Sequence, residues 1–556
     1  MCGIAGIIGN NKEKITRNML QATLHRGPDD SGIYTTDYCS IGMNRLAIID
    51  LSMAAHQPMT SACGRYTIVF NGEVYNFKEL KKKLPTQLEL KSNSDTEVVL
   101  ECWAMMQEEV LPELRGMFAF AVWDNTLNTL TIARDHLGIK PIYYSLQNKS
   151  LLFCSELKGM LASGMVSKKV NHKALHQYLR LGYIIQPLTI LEGVNMLEPG
   201  YYLKYQDGQL DIKSFWDITT GKEFKPRNER EAIAYTQKLV VDAVVEETFS
   251  DRPLGVFLSG GLDSTVLLAA MKKGGLKDIN TFSVGFDQDE LSEEEEAKVA
   301  ADFYETKHTQ IQVSEKDVIP HLDDYIKALD QPSVDGLNTW LVSKVTVQHV
   351  TVALSGLGGD ELFSGYGVDR AIINHQKWKL PAKFISITKP IWEKLPNFVS
   401  NRLTTYMEWQ SLHRHYAQWG SIFNLKEINN LCGSSPSLEN DFYVSKDIGE
   451  RYDLLQRISY MHLRGFMQNR LLRDSDAVSM AHSLEVRFPL IDSRLVNMSF
   501  NLPQSWKLKK LKEAAALKQY EKENSYEVFG VKHILYQAFK DHLPPNFGKL
   551  QKRGFR

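Results

Sequence analysis

The chain has 556 residues, more than one hydrophobic core accommodates, which predicts roughly two to four domains. It carries 65 lysines and arginines against 66 aspartates and glutamates, a net charge of −1, so no basic excess indicates a nucleic-acid partner. No apolar run of about 18 residues indicates a membrane span. The six cysteines form no CxxC pair, which argues against zinc and disulfide frameworks and fits a reducing, cytoplasmic compartment.

The chain begins Met1-Cys2-Gly3, and removal of Met1 would leave Cys2 as the N-terminal residue. Its thiol is a nucleophile, and an α-amine with a pKa of about 8 is a suitable general base near neutral pH. The two groups lie within reach of each other without help from the fold, which is the N-terminal-nucleophile arrangement. The alternative is a small buried residue that starts an edge strand. The short apolar start lacks a positive segment, so it does not resemble a signal peptide.

The first third of the chain predicts strands with helices between them. Ser94 and Glu97 form a Ser-x-x-Glu pattern before an apolar run, which is typical of a helix N-terminus. Runs of strands, rather than strict alternation with helices, predict an α+β domain of stacked antiparallel sheets. The pattern indicates helices at 13–24 and 77–83, and strands at 1–9, 43–50, 66–70, 118–123 and 129–133.

Three polar features in this region indicate a binding site. Asn71-Gly72 offers a side-chain amide and a backbone N–H that could hold an oxyanion, although Asn-Gly is also the commonest tight-turn dipeptide. The planar fork of Arg45 is suited to a carboxylate. Asp95 could receive an ammonium group, or it could cap the helix that follows. Together with the Cys2 thiol, these groups describe a free α-amino-acid amide, namely glutamine.

Five motifs within residues 2–205 resemble the class II glutamine amidotransferase domain: Cys2-Gly3-Ile4, Arg26-Gly27-Pro28-Asp29-Asp30, Arg45-Leu46-Ala47-Ile48, Asn71-Gly72-Glu73-Val74-Tyr75-Asn76 and Ser94-Asp95-Thr96-Glu97. The resemblance implies an N-terminal-nucleophile αββα sandwich. In that family the N-terminal cysteine attacks the glutamine side-chain amide, ammonia leaves, and water hydrolyses the glutamyl thioester. It further implies a catalytic Cys2, an oxyanion hole at Asn71 and Gly72, and glutamine binding by Arg45, Leu46, Ile49, Asn71, Gly72, Glu73 and Asp95.

The join between the domains is predicted where the composition changes. Polar, charged sequence runs over 207–230, and a long helix is indicated from about residue 231. We therefore divide the chain into a glutaminase domain at 1–207, a linker at 208–228 and a second domain at 229–556. The chain shows no internal repeat and no low-complexity stretch.

The second domain opens with a strand, a glycine-rich loop and a helix. Residues 253–258 are typical of a buried parallel strand, the loop reads Ser259-Gly260-Gly261-Leu262-Asp263-Ser264, and 266–272 is helical. Glycines let backbone N–H groups approach an anion closely, and a helix N-terminus adds a positive dipole. The loop lacks the Walker pattern and resembles the PP-loop of enzymes that cleave ATP to AMP and pyrophosphate. A plain strand-to-helix turn is the alternative.

A second glycine-rich loop, Ser355-Gly356-Leu357-Gly358-Gly359-Asp360, follows a strand predicted at 350–354, and a further core strand is predicted at 281–286. Loops at the carboxyl ends of parallel strands meet at one crevice. Asp263 and Asp360 would then face the same phosphates and imply Mg²⁺, although Asp360 could simply cap a helix. By resemblance, ATP would be bound by Leu258, Ser259, Gly260, Gly261, Asp263, Ser264, Val284, Ser355 and Gly356.

Residues 370–540 are predicted to be mostly helical. Within them, 479–492 resembles the asparagine synthetase signature, so the whole chain resembles that family, with a parallel-sheet α/β PP-loop domain rich in helices. Glu485 and Arg487 in this stretch are interpreted as a structural ion pair. The closing Lys552-Arg553-Gly554-Phe555 resembles a late family motif whose lysine reaches the ATP phosphates, which makes Lys552 a catalytic candidate. A disordered basic tail is the alternative.

The resemblance implies a glutamine-dependent ligase that adenylates a carboxylate with MgATP, transfers ammonia to it, and releases AMP and pyrophosphate. Aspartate is the default acceptor; we expect a homodimer and neither nucleic acid nor membrane as a partner. Leu357 replaces an acidic residue of asparagine-forming members, and 335–340 replaces a serine-rich segment. Another carboxylate, such as a uronic acid or a natural-product acid, is therefore an alternative. A non-catalytic binding or assembly subunit is the alternative from a different class.

Overall fold

The computed structural model describes residues 2–9, 12–221, 224, 226–286, 294–376, 412, 416, 420–423, 425–432, 448–449, 451–508, 526 and 530–550. Two sheets form an N-terminal sandwich, and a third sheet is the centre of a C-terminal domain. Within these ranges, no helix combines the length and the apolar character that crossing a lipid bilayer requires.

The N-terminal sandwich consists of two 6-stranded antiparallel sheets, with all strands numbered in chain order. The first contains β1 (Gly3–Ile8), β2 (Asp30–Thr35), β3 (Cys39–Arg45), β8 (Tyr143–Gln147), β9 (Ser150–Cys154) and β10 (Asn195–Met196), in the order β10-β8-β9-β1-β3-β2. The second contains β4 (Met59–Thr60), β5 (Tyr66–Val74), β6 (Gly116–Asp124), β7 (Thr129–Arg134), β11 (Tyr201–Gln206) and β12 (Gln209–Ser214), in the order β12-β11-β7-β6-β5-β4.

Both faces of the sandwich sheets are covered. In β1, Ile4 faces the second sheet while Ala5 and Ile7 face helices, because successive side chains of a strand point to opposite sides. This explains why the start of the chain is apolar at nearly every position. Helices α1 (Lys12–Ala22) and α4 (Leu157–Ala162) pack on the first sheet, and α2 (Phe77–Lys81) and α3 (Asp95–Met106) on the second. The αββα architecture is confirmed.

The C-terminal domain is built on a 5-stranded parallel sheet. Its strands are β13 (Leu254–Phe257), β14 (Asn280–Phe286), β15 (Lys307–Val313), β16 (Val352–Leu354) and β17 (Glu485–Arg487), in the order β15-β14-β13-β16-β17. The strand order reverses between β13 and β16, and a glycine-rich loop follows each of these two strands. Open α/β sheets bind their ligands at such a switch point, and the predicted parallel-sheet fold is confirmed.

Helices surround the parallel sheet. Helix α6 (Glu229–Glu247) is the longest helix among the described residues, and it packs against the helix His533–Phe539. One segment, His462–Leu471, is a π-helix. The other helices within the described ranges are α5 (His172–Leu181), α7 (Leu262–Lys273), α8 (Glu294–Phe303), α9 (Glu315–Val318), α10 (Leu322–Ala328), α11 (Leu337–Thr346), α12 (Gly359–Phe363), α13 (Gly367–Gln376), α14 (Leu425–Cys432), α15 (Leu454–Met461), α16 (Leu472–Met480), α17 (Ser493–Phe500), α18 (Gln504–Lys507) and α19 (His533–Phe539). Short 3₁₀ turns lie at Leu24–Arg26, Met53–Ala55, Gln107–Glu113, Ile218–Thr220, Ile319–His321, Pro489–Ile491, Lys540–His542 and Phe547–Lys549.

Two strand boundaries differ from the sequence-based expectation. The strand expected to end before Asn71 continues to Val74, because β5 pairs with β6 along its whole length. The strand expected over 43–50 ends at Arg45, where its pairing with β2 stops. In both cases hydrogen bonding to a neighbouring strand, rather than local composition, decides where the strand ends.

Two further strands lie in segments for which we expected other structure. The segment 208–228, predicted to be a linker, contains β12, which pairs with β11 throughout and extends the sandwich to Ser214. The segment 370–540 was expected to be mostly helical, yet it supplies β17, the edge strand next to β16. Short strands of this kind are stabilised by their place in the sheet and carry little local signal.

Candidate active site

Cys2 lies directly before β1 and is 6% exposed, between the two sheets of the sandwich. Its backbone nitrogen donates a hydrogen bond to Asn71 Oδ1 at 2.9 Å, and its carbonyl accepts one from Arg26 Nε at 3.1 Å. The nitrogen that would become the α-amine after removal of Met1 is therefore held by a buried amide oxygen. The edge-strand alternative is wrong, because β1 pairs with strands on both sides.

Arg45 ends β3, and its guanidinium is held by the backbone of the loop that follows. It donates to the carbonyl of Asp50 at 2.5 Å and lies 3.5 Å from the carbonyl of Ile49. Burial raises the pKa of the Cys2 thiol, whereas the N-terminal ammonium, the Leu46 N–H and the Arg45 charge lower it. Leu46 and Arg45 therefore lie close enough to act on the thiol, although burial outweighs them and the pKa is raised overall.

Asn71 and Gly72 lie in β5, opposite Ala119 and Phe118 of β6. Asn71 is 0% exposed, its Oδ1 holds the Cys2 nitrogen, and its Nδ2 has no hydrogen-bond partner among the described residues. An unused amide donor beside a nucleophile is what an oxyanion hole requires. The tight-turn alternative is wrong, because the strand runs through this dipeptide.

Gly72→Ala should destabilise the glutaminase domain by about 3 kcal/mol. Gly72 has a φ of +153°, and a Cβ built there would lie 2.0 Å from the Met117 carbonyl oxygen, which is backbone and cannot rotate away. Gly64→Ala is the matched control, because Gly64 has a φ of +75° with nothing within 4 Å of its Cβ position. Its expected cost is about 1 kcal/mol. Urea unfolding followed by tryptophan fluorescence measures both, and equal losses would contradict the steric argument.

Asp95 lies in the first turn of α3 and is not its N-cap. That role falls to Ser94, whose Oγ accepts a hydrogen bond from the Glu97 N–H at 3.3 Å. The Asp95 carboxylate accepts bonds from the N–H groups of Val74 and Thr96, both at 2.8 Å. Burial raises the pKa of Asp95 to about 6, although these two bonds lower it. Its carboxylate thus lies at the end of β5, the strand that carries the proposed oxyanion hole.

Sequence reasoning missed the role of Arg26. This arginine is 0% exposed, and besides the Cys2 carbonyl it binds Glu156 at 3.0 Å and Asp476 at 2.8 Å. Lys140 also contacts Asp476, at 3.3 Å. Asp476 belongs to the C-terminal domain. The buried charge cluster of Arg26, Lys140, Glu156 and Asp476 therefore connects Cys2 to the second domain. The motif Arg26-Gly27-Pro28-Asp29-Asp30 was the one feature of the sequence that could have indicated this role. Its polar, glycine- and proline-containing composition instead predicts an exposed turn.

The first glycine-rich loop connects β13 to α7. Ser264 Oγ accepts a hydrogen bond from the Ser259 N–H at 3.2 Å, and Ser259 Oγ accepts one from the Gly261 N–H at 3.3 Å. Gly260 has a φ of +75°, and a Cβ there would lie 2.5 Å from the backbone nitrogen of Ala297. The predicted strand, loop and helix are all present, and they form a helix N-terminus suited to an anion.

The second glycine-rich loop packs directly on the first. A Cβ on Gly356 would lie 2.8 Å from the backbone nitrogen of Ser264. Leu258, the residue before the first loop, is joined to β14 by a 2.8 Å bond from its N–H to the Phe282 carbonyl, and Val284 follows two residues farther along that strand. The structure thus brings the predicted ATP-binding residues of three strands to one edge of the sheet.

Asp263 and Asp360 face each other across a buried lysine. Lys532 Nζ lies 2.5 Å from Asp263 Oδ2 and 2.9 Å from Asp360 Oδ1, and the residue is 2% exposed. Burial lowers the pKa of Lys532, but the two carboxylates outweigh it, so the lysine is held charged. A Cβ on Gly359 would lie 2.2 Å from Asp263 Oδ1, so the glycine makes room for this carboxylate. Sequence reasoning missed Lys532.

The two carboxylates fit the Mg²⁺ that the resemblance implies. Asp263 and Asp360 already contact one ammonium group together, and such a pair binds Mg²⁺ with help from phosphate oxygens. Among the residues that the structure describes, no group of three or more acidic, histidine or cysteine side chains is arranged to hold a metal ion by itself. The capping alternative for Asp360 is wrong, because Gly358 occupies the N-cap of α12.

The structure shows contacts for two of the residues that we expect near the acceptor acid, Leu357 and Asp335. Leu357 is half-buried against the hydrophobic core of the C-terminal domain. Asp335 accepts a hydrogen bond from Arg470 Nε at 3.0 Å, and its carbonyl accepts one from Tyr325 OH at 2.7 Å. Lys552 lies outside the described residues.

A cavity lies between the two domains. It is lined by Tyr75 and His136 of the first domain and by Glu247 and Ile491 of the second. Burial lowers the pKa of His136 to about 4 and raises that of Glu247 well above its usual range. Ile491 borders the second glycine-rich loop, because a Cβ on Gly358 would lie 2.1 Å from its side chain.

Comparison with known proteins agrees with this two-domain architecture. Residues 1–216 match the family model of the glutamine amidotransferase domain, and residues 236–556 match that of asparagine synthase. The chain is 31% identical over 550 residues to asparagine synthetase (glutamine-hydrolyzing) 3 of Bacillus subtilis, which covers 93% of this chain and 84% of that protein. It is 29% identical to asparagine synthetase (glutamine-hydrolyzing) 1 of the same organism, in a match that covers 92% of this chain and 82% of that protein. It is 26% identical to amidase chry2 of Gibberella zeae, in a match that covers 100% of this chain and 88% of that protein.

The fold and its two sites define an enzyme of the amidotransferase and ligase class, in which a nucleophile domain is joined to a nucleotide-loop domain. The asparagine synthase model alone matches more than half of the chain. The chain therefore belongs to the asparagine synthase family, as its motifs predicted.

Proposed function

We propose that this enzyme is a glutamine-dependent, ATP-consuming ligase that forms an amide from a carboxylate, and that the carboxylate is aspartate. One observation carries the proposal. A single chain holds the Cys2 nitrogen against Asn71 and, in its other domain, gathers Asp263 and Asp360 beside two glycine-rich loops. A nucleophile that releases ammonia and a nucleotide site that activates a carboxylate are two halves of one reaction.

In the first half, the Cys2 thiolate attacks the side-chain amide carbon of glutamine, and the thiol proton passes to the free α-amine. Asn71 Nδ2 and the Gly72 N–H stabilise the oxyanion of the tetrahedral intermediate. The intermediate collapses as its C–N bond breaks, and the nitrogen leaves as ammonia with that proton. Water then hydrolyses the thioester to glutamate. Arg45 binds the substrate carboxylate and Asp95 its ammonium group.

In the second half, the acceptor carboxylate attacks the α-phosphate of ATP and pyrophosphate leaves. Ammonia then displaces AMP from the acyl-adenylate to give the amide. Backbone N–H groups of the two glycine-rich loops bind phosphate oxygens, except those of Ser259, Gly261, Leu262 and Ser355, which donate within the protein. Asp263 and Asp360 would hold Mg²⁺, which would supply neutralisation of the phosphate charge. Lys532 stabilises the charge that develops on the leaving pyrophosphate.

Ammonia has to pass between the domains before water protonates it. The cavity between Tyr75 and Ile491 lies on this path, at the domain interface. Its lining also carries the carboxyl groups of Asp135, Glu247 and Asp492. Burial lowers the pKa of His136 to about 4, so its imidazole is not a proton source near neutral pH.

Aspartate as the acceptor is supported by the family match and by the names of the two Bacillus subtilis relatives. Leu357 and the segment 335–340 depart from the asparagine-forming pattern, and the similar protein from Gibberella zeae is named an amidase. A different carboxylate, with the same chemistry, is therefore the second candidate.

A carboxylate screen tests the proposal. The purified protein is incubated with MgATP, glutamine and one acid at a time, and pyrophosphate release is measured with mass spectrometry of the amide. Aspartate should give asparagine and equimolar pyrophosphate. Release with a uronic acid, but not with aspartate, would change the acceptor and preserve the reaction. No release with any acid would contradict the reaction itself.

The KM for glutamine should rise as the pH falls below about 6, roughly tenfold per pH unit. Burial raises the pKa of Asp95 to about 6, so acidification protonates the carboxylate that we assign to the substrate ammonium. Steady-state kinetics between about pH 5 and about pH 8 measure the effect. Asp95→Asn should raise KM across the range and flatten the profile, whereas a flat wild-type profile would contradict the assignment.

A further inference from the structure

Arg487 belongs to the C-terminal domain, but its side chain reaches the proposed glutaminase site. It ends β17, and its carbonyl accepts a hydrogen bond at 2.9 Å from the N–H of Ser355, the first residue of the second glycine-rich loop. The residue is 0% exposed, so its side chain lies entirely within the protein. Its backbone therefore borders one site, and the side chain points towards the other.

Three hydrogen bonds fix the Arg487 guanidinium. Nε donates to Glu485 Oε1 at 2.6 Å, and Nη1 donates to the carbonyls of Glu247 at 2.6 Å and Phe249 at 2.7 Å. Burial raises the pKa of Glu485, but the neighbouring charges outweigh burial and lower this pKa to about 2. The Arg487 charge is the largest of these lowering contributions. These contacts account for the structural ion pair that the sequence predicted. They leave Nη2 without a hydrogen-bond partner in the described part of the chain.

The unused Nη2 faces Glu73. Its distance from Glu73 Oε1 is 3.9 Å, within ion-pair range but too long for a hydrogen bond. Glu73 Oε2 has no hydrogen-bond partner either, within the described ranges. The guanidinium carbon lies 5.6 Å from the centre of the ring of Tyr75, the residue that directly follows β5. A buried cation and a buried carboxyl group thus oppose each other across a gap.

Glu73 shares one face of β5 with Asn71, because alternate residues of a strand point to the same side. Asn71 holds the Cys2 nitrogen, and the Glu73 charge acts on the Cys2 thiol. Three unpartnered buried polar atoms, namely Arg487 Nη2, Glu73 Oε2 and Asn71 Nδ2, therefore belong to neighbouring groups around the nucleophile, counted over the described residues. Buried polar groups are rarely left unpaired, so this cluster indicates a polar ligand.

We propose that Arg487 is a positioning residue of the glutaminase site, supplied by the synthetase domain, which holds the carboxyl group of Glu73 in place for contact with glutamine. The inference rests on the proposed glutamine-dependent reaction. It means that the first site is complete only when β17 of the second domain is docked against β5. It also joins the two sites through one residue, since the Ser355 N–H holds the Arg487 backbone.

The electrostatics of Glu73 support this role. Burial raises the pKa of Glu73 well above its usual range, the carboxylates of Asp95 and Glu485 raise it further, and Arg487 is the side-chain charge that opposes them. Without Arg487, three carboxyl groups would share a buried region with no guanidinium among them. Glu73 would then turn away from Asp95 and Glu485 or take up a proton.

A double-mutant cycle with Glu73→Gln tests the proposal, using the full-length enzyme. Arg487→Lys keeps the charge but not the fork, and Arg487→Gln keeps N–H donors for the carbonyls of Glu247 and Phe249. Either variant should raise the KM for glutamine about tenfold, with kcat changed less. In the Glu73→Gln background the same replacement should add less than about twofold, because its target is gone. Arg494→Lys is the matched control.

Arg494 also binds two carboxylates, Asp492 at 2.9 Å and Glu246 at 2.8 Å, and it is 23% exposed in its side chain. Its replacement should leave the KM for glutamine unchanged. Pyrophosphate release with free ammonia reports on the synthetase domain and should stay within about twofold in every variant.

Several outcomes would overturn the inference. Effects of Arg487 and Glu73 that simply multiply, an unchanged KM, or an equal fall of both activities would each show that Arg487 does not act through Glu73. Failure of both Arg487 variants to fold would make the role purely structural. These results require an active wild type. A wild type that hydrolyses no glutamine would instead overturn the proposed function together with this inference.

Discussion

Cys2→Ser should abolish glutamine-dependent amide formation while ammonia-dependent formation stays within about twofold of wild type. A serine hydroxyl is a far weaker nucleophile than a thiolate, so kcat for glutamine hydrolysis should fall by about a thousandfold or more. The Asn71 contact to the Cys2 backbone nitrogen does not involve the thiol and should survive the change. Glutamate release from glutamine, and amide formation from ammonium chloride, measure the two activities separately.

Cys63→Ser is the control for this experiment. Cys63 is a free, exposed cysteine of the same domain, and its replacement should change neither activity. Loss of both activities in Cys2→Ser, with Cys63→Ser fully active, would contradict two separable sites. Unchanged glutamine hydrolysis in Cys2→Ser would remove Cys2 from the mechanism.

Lys532→Met should reduce pyrophosphate release by about a hundredfold or more and leave glutamine hydrolysis largely intact. Lys532 Nζ lies 2.5 Å from Asp263 Oδ2 and 2.9 Å from Asp360 Oδ1, so its loss removes the positive charge beside the proposed phosphate site. It also leaves two carboxylates without their buried partner, which destabilises this domain by about 3–5 kcal/mol. Pyrophosphate release with MgATP, aspartate and free ammonia gives the rate, and thermal unfolding gives the stability.

Lys540→Met provides the matched control. Lys532 directly precedes helix α19 (His533–Phe539), and Lys540 is an exposed lysine that directly follows the same helix. It should alter neither rate nor stability. Excess Mg²⁺ should restore stability to Lys532→Met, since a divalent cation can occupy the place between the two carboxylates. A variant with normal pyrophosphate release would show that Lys532 serves only to neutralise these acids.

The parts of both sites that lie close together in the chain could be predicted from the sequence. The strand, glycine-rich loop and helix around Asp263 are specified by hydrophobic pattern and glycine placement, and the structure shows all three. Lys532 could not be found in this way. Lys532 lies 269 positions after Asp263 in the chain. Only tertiary packing brings the two residues together, and no periodicity in the sequence relates them.

Short motifs gave the right residues but not always the right geometry. Asn-Gly favours a tight turn in isolation, whereas here nine residues of β5 pair with β6 and pull the dipeptide into the sheet. Asp95 resembles an N-cap, yet Ser94 takes that position and leaves the aspartate free to bind the strand end. In each case an interaction with a distant segment outweighs a local preference.

The buried contact between Arg26 and Asp476 limits how this enzyme can be taken apart. Arg26 and Lys140 are both 0% exposed, and the acid between them comes from the other domain. A glutaminase fragment produced alone would lose that acid, and a chimera with a foreign synthetase half would need to provide one at the same place. The missing partner would cost about 3–5 kcal/mol. The two halves of this protein are therefore matched parts, and domain shuffling would have to carry residue 476 along with residue 26.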